Sequence, residues 1–232
     1  MERPVITLVF DDNSDTIYTE AFPRLTALGM IGANFIITNN IGGEGLTTQA
    51  QLQEMYNAGW DIGNHTKEHI DLTELSEEDA TAQVHDARET LDANGWIRSS
   101  DLFVPPYDAT NATAKAIVAK YARFSTGATD GLNDQPIADM LDVKRKPFST
   151  NTVATIKGFV DTAIANGQYL HLYGHSIADP IGISYPPAMF QEVIEYIANR
   201  RDAGLIDVMS ISQFVYNTNK SSIIINGNIS YN

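Results

Sequence analysis

Val5-Ile6-Thr7-Leu8-Val9-Phe10-Asp11-Asp12 is an apolar, β-rich run that stops on two carboxylates. A short apolar run closed by polar residues reads as a buried strand. Similar segments recur downstream at Gly32–Ile37, Asp61–Gly63, Leu102–Val104, Tyr169–Tyr173 and Ile206–Met209. Helical patterns stand between them: Pro23–Leu28 stopped at Gly29, Thr48–Ala58 with Thr47 or Thr48 as N-cap and Gly59 beyond, Ser76–Asn94, Asn111–Lys120, Thr152–Asn166 and Ala188–Ala203. Ser76–Asn94 is the clearest of these. Ser76 can cap it, acids fill its first turn, and Ala80, Val84, Ala87 and Leu91 share one face. Repeated strand–helix alternation predicts a parallel α/β fold. A barrel and an open doubly wound sheet both satisfy it, and the lack of a glycine-rich phosphate loop after any strand weakens the nucleotide-binding version.

Whole-chain properties narrow the function. The 232 residues are 43% hydrophobic and 19% charged, which is a folded composition and long enough for one large domain with a substantial core. The formal charge of −14 repels phosphate backbones and anionic lipids, so nucleic-acid and membrane partners are disfavoured. The absence of cysteine excludes disulfides, thiolate ligands and a cysteine nucleophile, and it fits an exported protein. No apolar run reaches transmembrane length, and Met1–Pro4 leads straight into a strand-like segment, so no signal peptide is expected within this sequence. The expectation is an extracellular or cell-envelope protein, with a cytoplasmic one also open. Residues 1–216 are expected to form the catalytic domain. The tail, 217–232, has a polar stretch at Asn217–Ser222 and then a hairpin signal in Ile223–Ile229 around Asn226-Gly227. It reads either as an edge hairpin or as the start of a linker to a further domain.

The chemistry-bearing residues fall at strand ends, and in parallel α/β folds ligands bind beyond the carboxyl ends of strands. Asp11-Asp12 ends the first strand, His65 and His69 follow the third, Pro105–Asp108 the fourth, and His175 follows Tyr169–Tyr173. Histidines four apart lie on one face of a helical turn and suit joint metal ligation, although the same spacing in a surface loop arises by chance. Adjacent carboxylates repel when buried, so a division of labour is expected: one binds a metal ion and the other stays free as a base. His175, at a strand end, is a candidate acid. His171, within its strand, and His85, beside Asp86 in mid-helix, read as structural. His65–Glu68–His69 also fits the His-x-x-Glu-His pattern of inverted zinc proteases, a rival that requires a long amphipathic helix.

Taken together these pieces resemble the polysaccharide deacetylases of carbohydrate esterase family 4, the NodB-homology domain, from about Val5 to Val215. The family's strand-Asp-Asp signature stands as Val9-Phe10-Asp11-Asp12, and its His-x-x-x-His element as His65 to His69. Its Arg-Pro-Pro-Tyr-Gly element stands as Val104-Pro105-Pro106-Tyr107-Asp108, and its Leu-x-His element as Tyr173-Gly174-His175. The resemblance implies a distorted, TIM-like (β/α) barrel of about seven parallel strands and one divalent ion, zinc first with cobalt or nickel as alternatives. Asp12, His65 and His69 would be the ligands, Asp11 the base, His175 the acid, and the Tyr107 backbone N–H an oxyanion donor. The implied reaction removes acetyl groups from an N-acetylated or O-acetylated polysaccharide.

Three departures stand out. Val104 replaces the arginine that pairs with the base in the family, Asp108 replaces a glycine, and Tyr173 replaces a leucine. The family's Asp-Trp element is not clear; Asp130 and Asp134 lie in the corresponding region without a following tryptophan. Without the arginine, a catalytically impaired carbohydrate-binding barrel is the second reading. The nearest unusual cations are Lys144-Arg145-Lys146. They read either as a solvated basic patch or, as the sharper hypothesis, as the source of a substitute: Arg145 reaching Asp11.

Overall fold

The computed structural model describes residues 3–179 and 184–225. In chain order the elements are β1 (Val5–Asp11), α1 (Phe22–Ala27), β2 (Ala33–Ile36), α2 (Gln49–Asn57), β3 (Asp61–Asn64), α3 (Glu77–Ala93), β4 (Leu102–Phe103), α4 (Ala112–Val118), β5 (Phe124–Asp130) and β6 (Val143–Pro147). Then follow α5 (Val153–Asn166), β7 (Tyr169–Gly174), β8 (Ser176–Ile177), β9 (Ser184–Tyr185), α6 (Pro187–Asp202), β10 (Asp207–Val208) and α7 (Ile211–Ile225). Strands β1 to β7 pair in sequence order, all parallel, and β7 returns to β1 along Val5↔Tyr169 to Phe10↔Gly174. The sheet therefore closes into a seven-stranded barrel, the expected class. β10 pairs with Val5 and Ile6 at the start of β1, while β2 takes Val9 to Asp11 at its end.

Strand alternation divides the core in two. Along β1, Val5 and Val9 face the barrel interior with Ala33, Phe35, Leu102, Val104, Phe124, Val143 and Tyr169. Ile6, Leu8 and Phe10 face outward into the layer covered by the helices, where Trp60 stacks on Phe10 with ring centroids 5.8 Å apart. Caps set the helix starts. Thr48 forms a capping box with Gln51, and Ser76, Asn111 and Thr152 each accept from the backbone of the first turn.

The N-terminal mouth of the barrel is plugged by α7. Ile211, Phe214 and Val215 join the interior cluster, and Phe214 stacks on Tyr169 at 4.2 Å. Ser212 donates its N–H and hydroxyl to the buried Asp61 at 2.7 and 2.6 Å. This end of the chain corrects the sequence expectation. Helix α7 runs through the polar stretch from Asn217 and includes Ile223–Ile225, which were expected to open a hairpin. The Asn226-Gly227 turn lies outside the described residues. Strands β5 and β6, absent from the sequence reading, complete the ring. Among the described residues no helix is long and apolar enough to cross a membrane.

Candidate active site

At the opposite, C-terminal rim, every sequence-predicted site residue, together with Asp108 and Tyr173, lines one open cavity of about 330 Å³. The backbone there is unusual. The non-glycine residues with positive φ among the described residues are Asp12, Asn13, Thr66, His69, Tyr107 and Asp108, and all lie on the loops that build this rim. Each such conformation costs on the order of 1–3 kcal/mol and persists only where surrounding contacts enforce it. Asn13 supplies one such contact. It is buried, its side-chain oxygen accepts from Ile37 N–H at 3.4 Å, and its carbonyl accepts from the N–H and hydroxyl of Thr47. The sequence reading passed over it, because an asparagine after two aspartates looks like ordinary turn chemistry.

The histidine pair corrects another expectation. Residues 65–69 form a loop, with Thr66 and His69 in the left-handed region, rather than a helical turn. The turn, fixed by the Thr66 hydroxyl accepting from His69 N–H at 3.0 Å, is what brings the two rings together, 4.8 Å between centroids. The inverted-protease rival loses its helix. Glu68 is also occupied elsewhere, accepting from Gln83 at 2.7 Å and Asn39 at 3.3 Å.

The Nε2 atoms of His65 and His69 each lie 3.2 Å from the same oxygen, Asp12 Oδ1. His65 Nδ1 lies 2.7 Å from the carbonyl oxygen of Val104, which can only accept, so Nδ1 carries the hydrogen. In the neutral ring Nε2 then presents a lone pair. Asp12 Oδ1 is buried and makes no hydrogen bond of acceptable geometry among the described residues. Two imidazole nitrogens and a carboxylate oxygen crowded without a hydrogen bond of good geometry are a donor set suited to a divalent cation, and all three lie within 4.8 Å of one another. Without a cation, burial opposes charging of His65, but Asp12 and Asp11 outweigh it and raise its pKa. Burial would likewise raise the Asp12 carboxyl, but the facing imidazoles hold it well below the usual carboxylate range. Proton and cation thus compete for one pocket.

Asp11 sits beside this set, fully buried. Arg145 Nη1 donates to its Oδ2 at 2.6 Å. The guanidinium comes from β6, is 5% exposed, and is not a solvated patch. Its Nε donates to Asp108 Oδ1 at 2.8 Å, its Nη2 contacts the same oxygen, and its plane lies 3.7 Å from the centroid of the Tyr173 ring. Burial pushes the Asp11 carboxyl up, but Arg145, then His65 and His175, outweigh it and leave it lowered. Val104, at the position of the family arginine, is fully buried in the barrel interior. Two of the departures read in the sequence therefore meet at one side chain: no cation stands at 104, one arrives from 145, and residues 108 and 173 grip it. The sequence reading found Arg145 but missed this use of Asp108 and Tyr173.

The remaining residues complete the wall. Tyr107 is 69% exposed at the rim, with its ring 4.6 Å from that of His69. His175 follows β7, and its buried Nδ1 has no hydrogen-bond partner among the described residues. Neither carboxylate considered in the sequence serves it: Asp130 pairs with Lys146, and Asp134 accepts from Gln168.

A parallel barrel whose C-terminal rim gathers three acids, three histidines and a buried arginine defines a class of small (β/α) barrels with a polar pocket suited to a cation at that face. Comparison with known proteins places it further. Residues 1–123 match the family described as polysaccharide deacetylase, and the chain belongs to that family. It is 30% identical over 124 residues to YxkH of Bacillus subtilis, a protein named only provisionally as a polysaccharide deacetylase, covering 53% of this chain and 44% of the relative. It is 43% identical over 63 residues to the poly-beta-1,6-N-acetyl-D-glucosamine N-deacetylase of Staphylococcus epidermidis, covering 25% and 22%. The chain thus spans less than half the length of either relative. Among solved structures, the peptidoglycan deacetylase PdaC of Bacillus subtilis (D285S mutant) superposes with a TM-score of 0.64 at 17% identity, over 97% of this chain and 95% of that one. The Xyl-CE4 domain of a multidomain xylanase, from the hindgut metagenome of Trinervitermes trinervoides, gives 0.64 at 17%, over 94% and 92%. At these identities the two structures establish the shared fold.

Proposed function

We propose that the chain is a metal-dependent hydrolase that removes acetyl groups from an N-acetylated or O-acetylated polysaccharide. The observation that carries this reading is the convergence of Asp12 Oδ1 with the Nε2 atoms of His65 and His69 beside a buried, Arg145-held Asp11. Asp12, His65 and His69 would hold one divalent ion, zinc or alternatively cobalt or nickel. Bound there, the ion supplies Lewis acidity towards an acyl carbonyl and acidifies water towards a pKa of ~7. Three ligands leave positions open for water and substrate.

The chain's own residues supply the rest. Asp11, kept ionised by Arg145, accepts a proton from the attacking water. The Tyr107 backbone N–H would donate to the acyl oxygen as negative charge develops there. His175 delivers a proton to the departing nitrogen or oxygen, without which an amine is a very poor leaving group. A glycan substrate is supported by the relatives, which are named for poly-N-acetylglucosamine, peptidoglycan and xylan. A substrate of that kind would be met in the cell envelope or outside the cell, which supports an extracellular or cell-envelope location.

The test is an acetate-release screen over peptidoglycan, chitin-type oligomers, poly-N-acetylglucosamine and acetylated xylan. Chelated protein serves as the control and Asp11→Asn as the inactive variant. Release that depends on added zinc, cobalt or nickel and is lost in Asp11→Asn supports the reading. Glycan binding without release would favour a non-catalytic carbohydrate-binding barrel.

A further inference from the structure

Arg145 is fixed on three sides. Nη1 meets Asp11, Nε and Nη2 meet Asp108, and the Tyr173 ring lies against its plane. The two carboxylates come from different parts of the barrel. Asp11 ends β1 in the barrel wall, whereas Asp108 belongs to the rim turn that also carries Tyr107. That turn is strained: Tyr107 has φ 59 and Asp108 has φ 55, a pair of consecutive left-handed residues with side chains. Glycine would adopt φ 55 at residue 108 without steric cost, so the carboxylate stands where the backbone favours its absence.

We propose that Asp108 is a positioning residue. Through the guanidinium of Arg145 it ties the Tyr107–Asp108 turn to Asp11, so that the rim N–H donor and the buried base keep one fixed separation. This rests on the proposed hydrolase reading, in which those two groups act on opposite sides of the same acyl carbon. Two features favour the clamp over a general structural bond. The planar, forked guanidinium addresses the two carboxylates through different nitrogens in one fixed relative orientation, which a freely rotating ammonium group does not impose. Burial raises the Asp108 carboxyl, and the facing guanidinium of Arg145, bonded to it through Nε, offsets part of that cost.

Two variants test this, with two readouts. Asp108→Gly relieves the backbone and removes the clamp. Its kcat for acetate release should fall roughly tenfold or more while KM stays within about twofold. Asp108→Asn keeps an oxygen for Arg145 Nε and should recover most of that loss. The second readout needs no activity. In Arg145→Lys, where residue 108 is untouched, amide hydrogen exchange at Tyr107–Ala109 should quicken roughly tenfold relative to the unaltered protein. Unchanged kcat in Asp108→Gly, or unchanged exchange in Arg145→Lys, overturns the clamp. A raised KM with preserved kcat in both residue-108 variants overturns it in favour of direct sugar contact. If the unaltered protein releases acetate from no glycan, the hydrolase reading fails, and the exchange measurement still decides whether the turn is clamped.

Discussion

Arg145 on β6 and Asp11 on β1 are 134 residues apart in sequence and 2.6 Å apart in space. Removing this cation leaves burial as the dominant influence on Asp11, so its pKa must rise. Arg145→Met is therefore expected to move the acid limb of kcat/KM to higher pH, because more of the base is protonated at a given pH. Breaking a buried pair also costs about 3–5 kcal/mol of stability. A pH–rate profile together with a denaturation curve checks both. An acid limb that stays in place would show that Asp11 is not the group titrating in the rate.

In the unaltered protein the sign runs the other way. The folded pKa of Asp11 lies below its value in the unfolded chain, about 3.9, so its contribution to stability is complete at neutral pH. That contribution begins to fade as pH falls below the unfolded value and is gone once pH has fallen through the depressed folded value. Acid unfolding of Asp11→Asn should accordingly show a weaker dependence on pH below about 4 than the unaltered protein. Parallel unfolding curves for the two proteins across that range would contradict it.

How much of this was legible beforehand follows from where the information resides. β1 and β7 are local apolar runs, and the residues at their ends announced the site. β6 is Val143-Lys144-Arg145-Lys146-Pro147, which no local window reads as a barrel strand. Arg145 is buried there because its countercharges arrive from β1 and from the turn after β4. β5 was missed for a related reason: only Phe124 to Gly127 are buried, and its outer half, Ala128 to Asp130, is exposed. α7 was hidden by a polar exterior, although Ile211, Phe214 and Val215 have helical spacing and fill the barrel floor. The loop shape at His65–His69 depends on φ values that residue type alone does not fix.

Metal binding should stabilise the fold by mass action. At a free zinc concentration a hundred times the dissociation constant the gain is about 2.7 kcal/mol, which for a chain of this size raises Tm by roughly 5–10 °C. Chelation should reverse the shift, and His65→Ala should abolish it. Thermal scans with zinc, cobalt, nickel and a chelator measure this directly. A shift that persists in His65→Ala would place the ion elsewhere.

Zinc binding should also weaken in acid, and the reason lies in His65. Its pKa is raised in the metal-free protein because Asp12 and Asp11 favour the imidazolium over the opposing effect of burial. The ion must displace that proton from Nε2, the atom left free by the bond from Nδ1 to Val104. At neutral pH a fraction of the sites is protonated, so binding should release protons, and affinity should fall up to tenfold per pH unit once His65 is fully protonated. Calorimetry in two buffers of different ionisation enthalpy counts the protons, and repeating it in Asp11→Asn separates the influences. Asp12 remains in that variant, but one of the charges holding the proton is gone, so the pH at which zinc affinity begins to fall should shift downward. If proton release is absent in the unaltered protein, or the onset does not move in the variant, then His65 is not the ligand whose protonation opposes the ion.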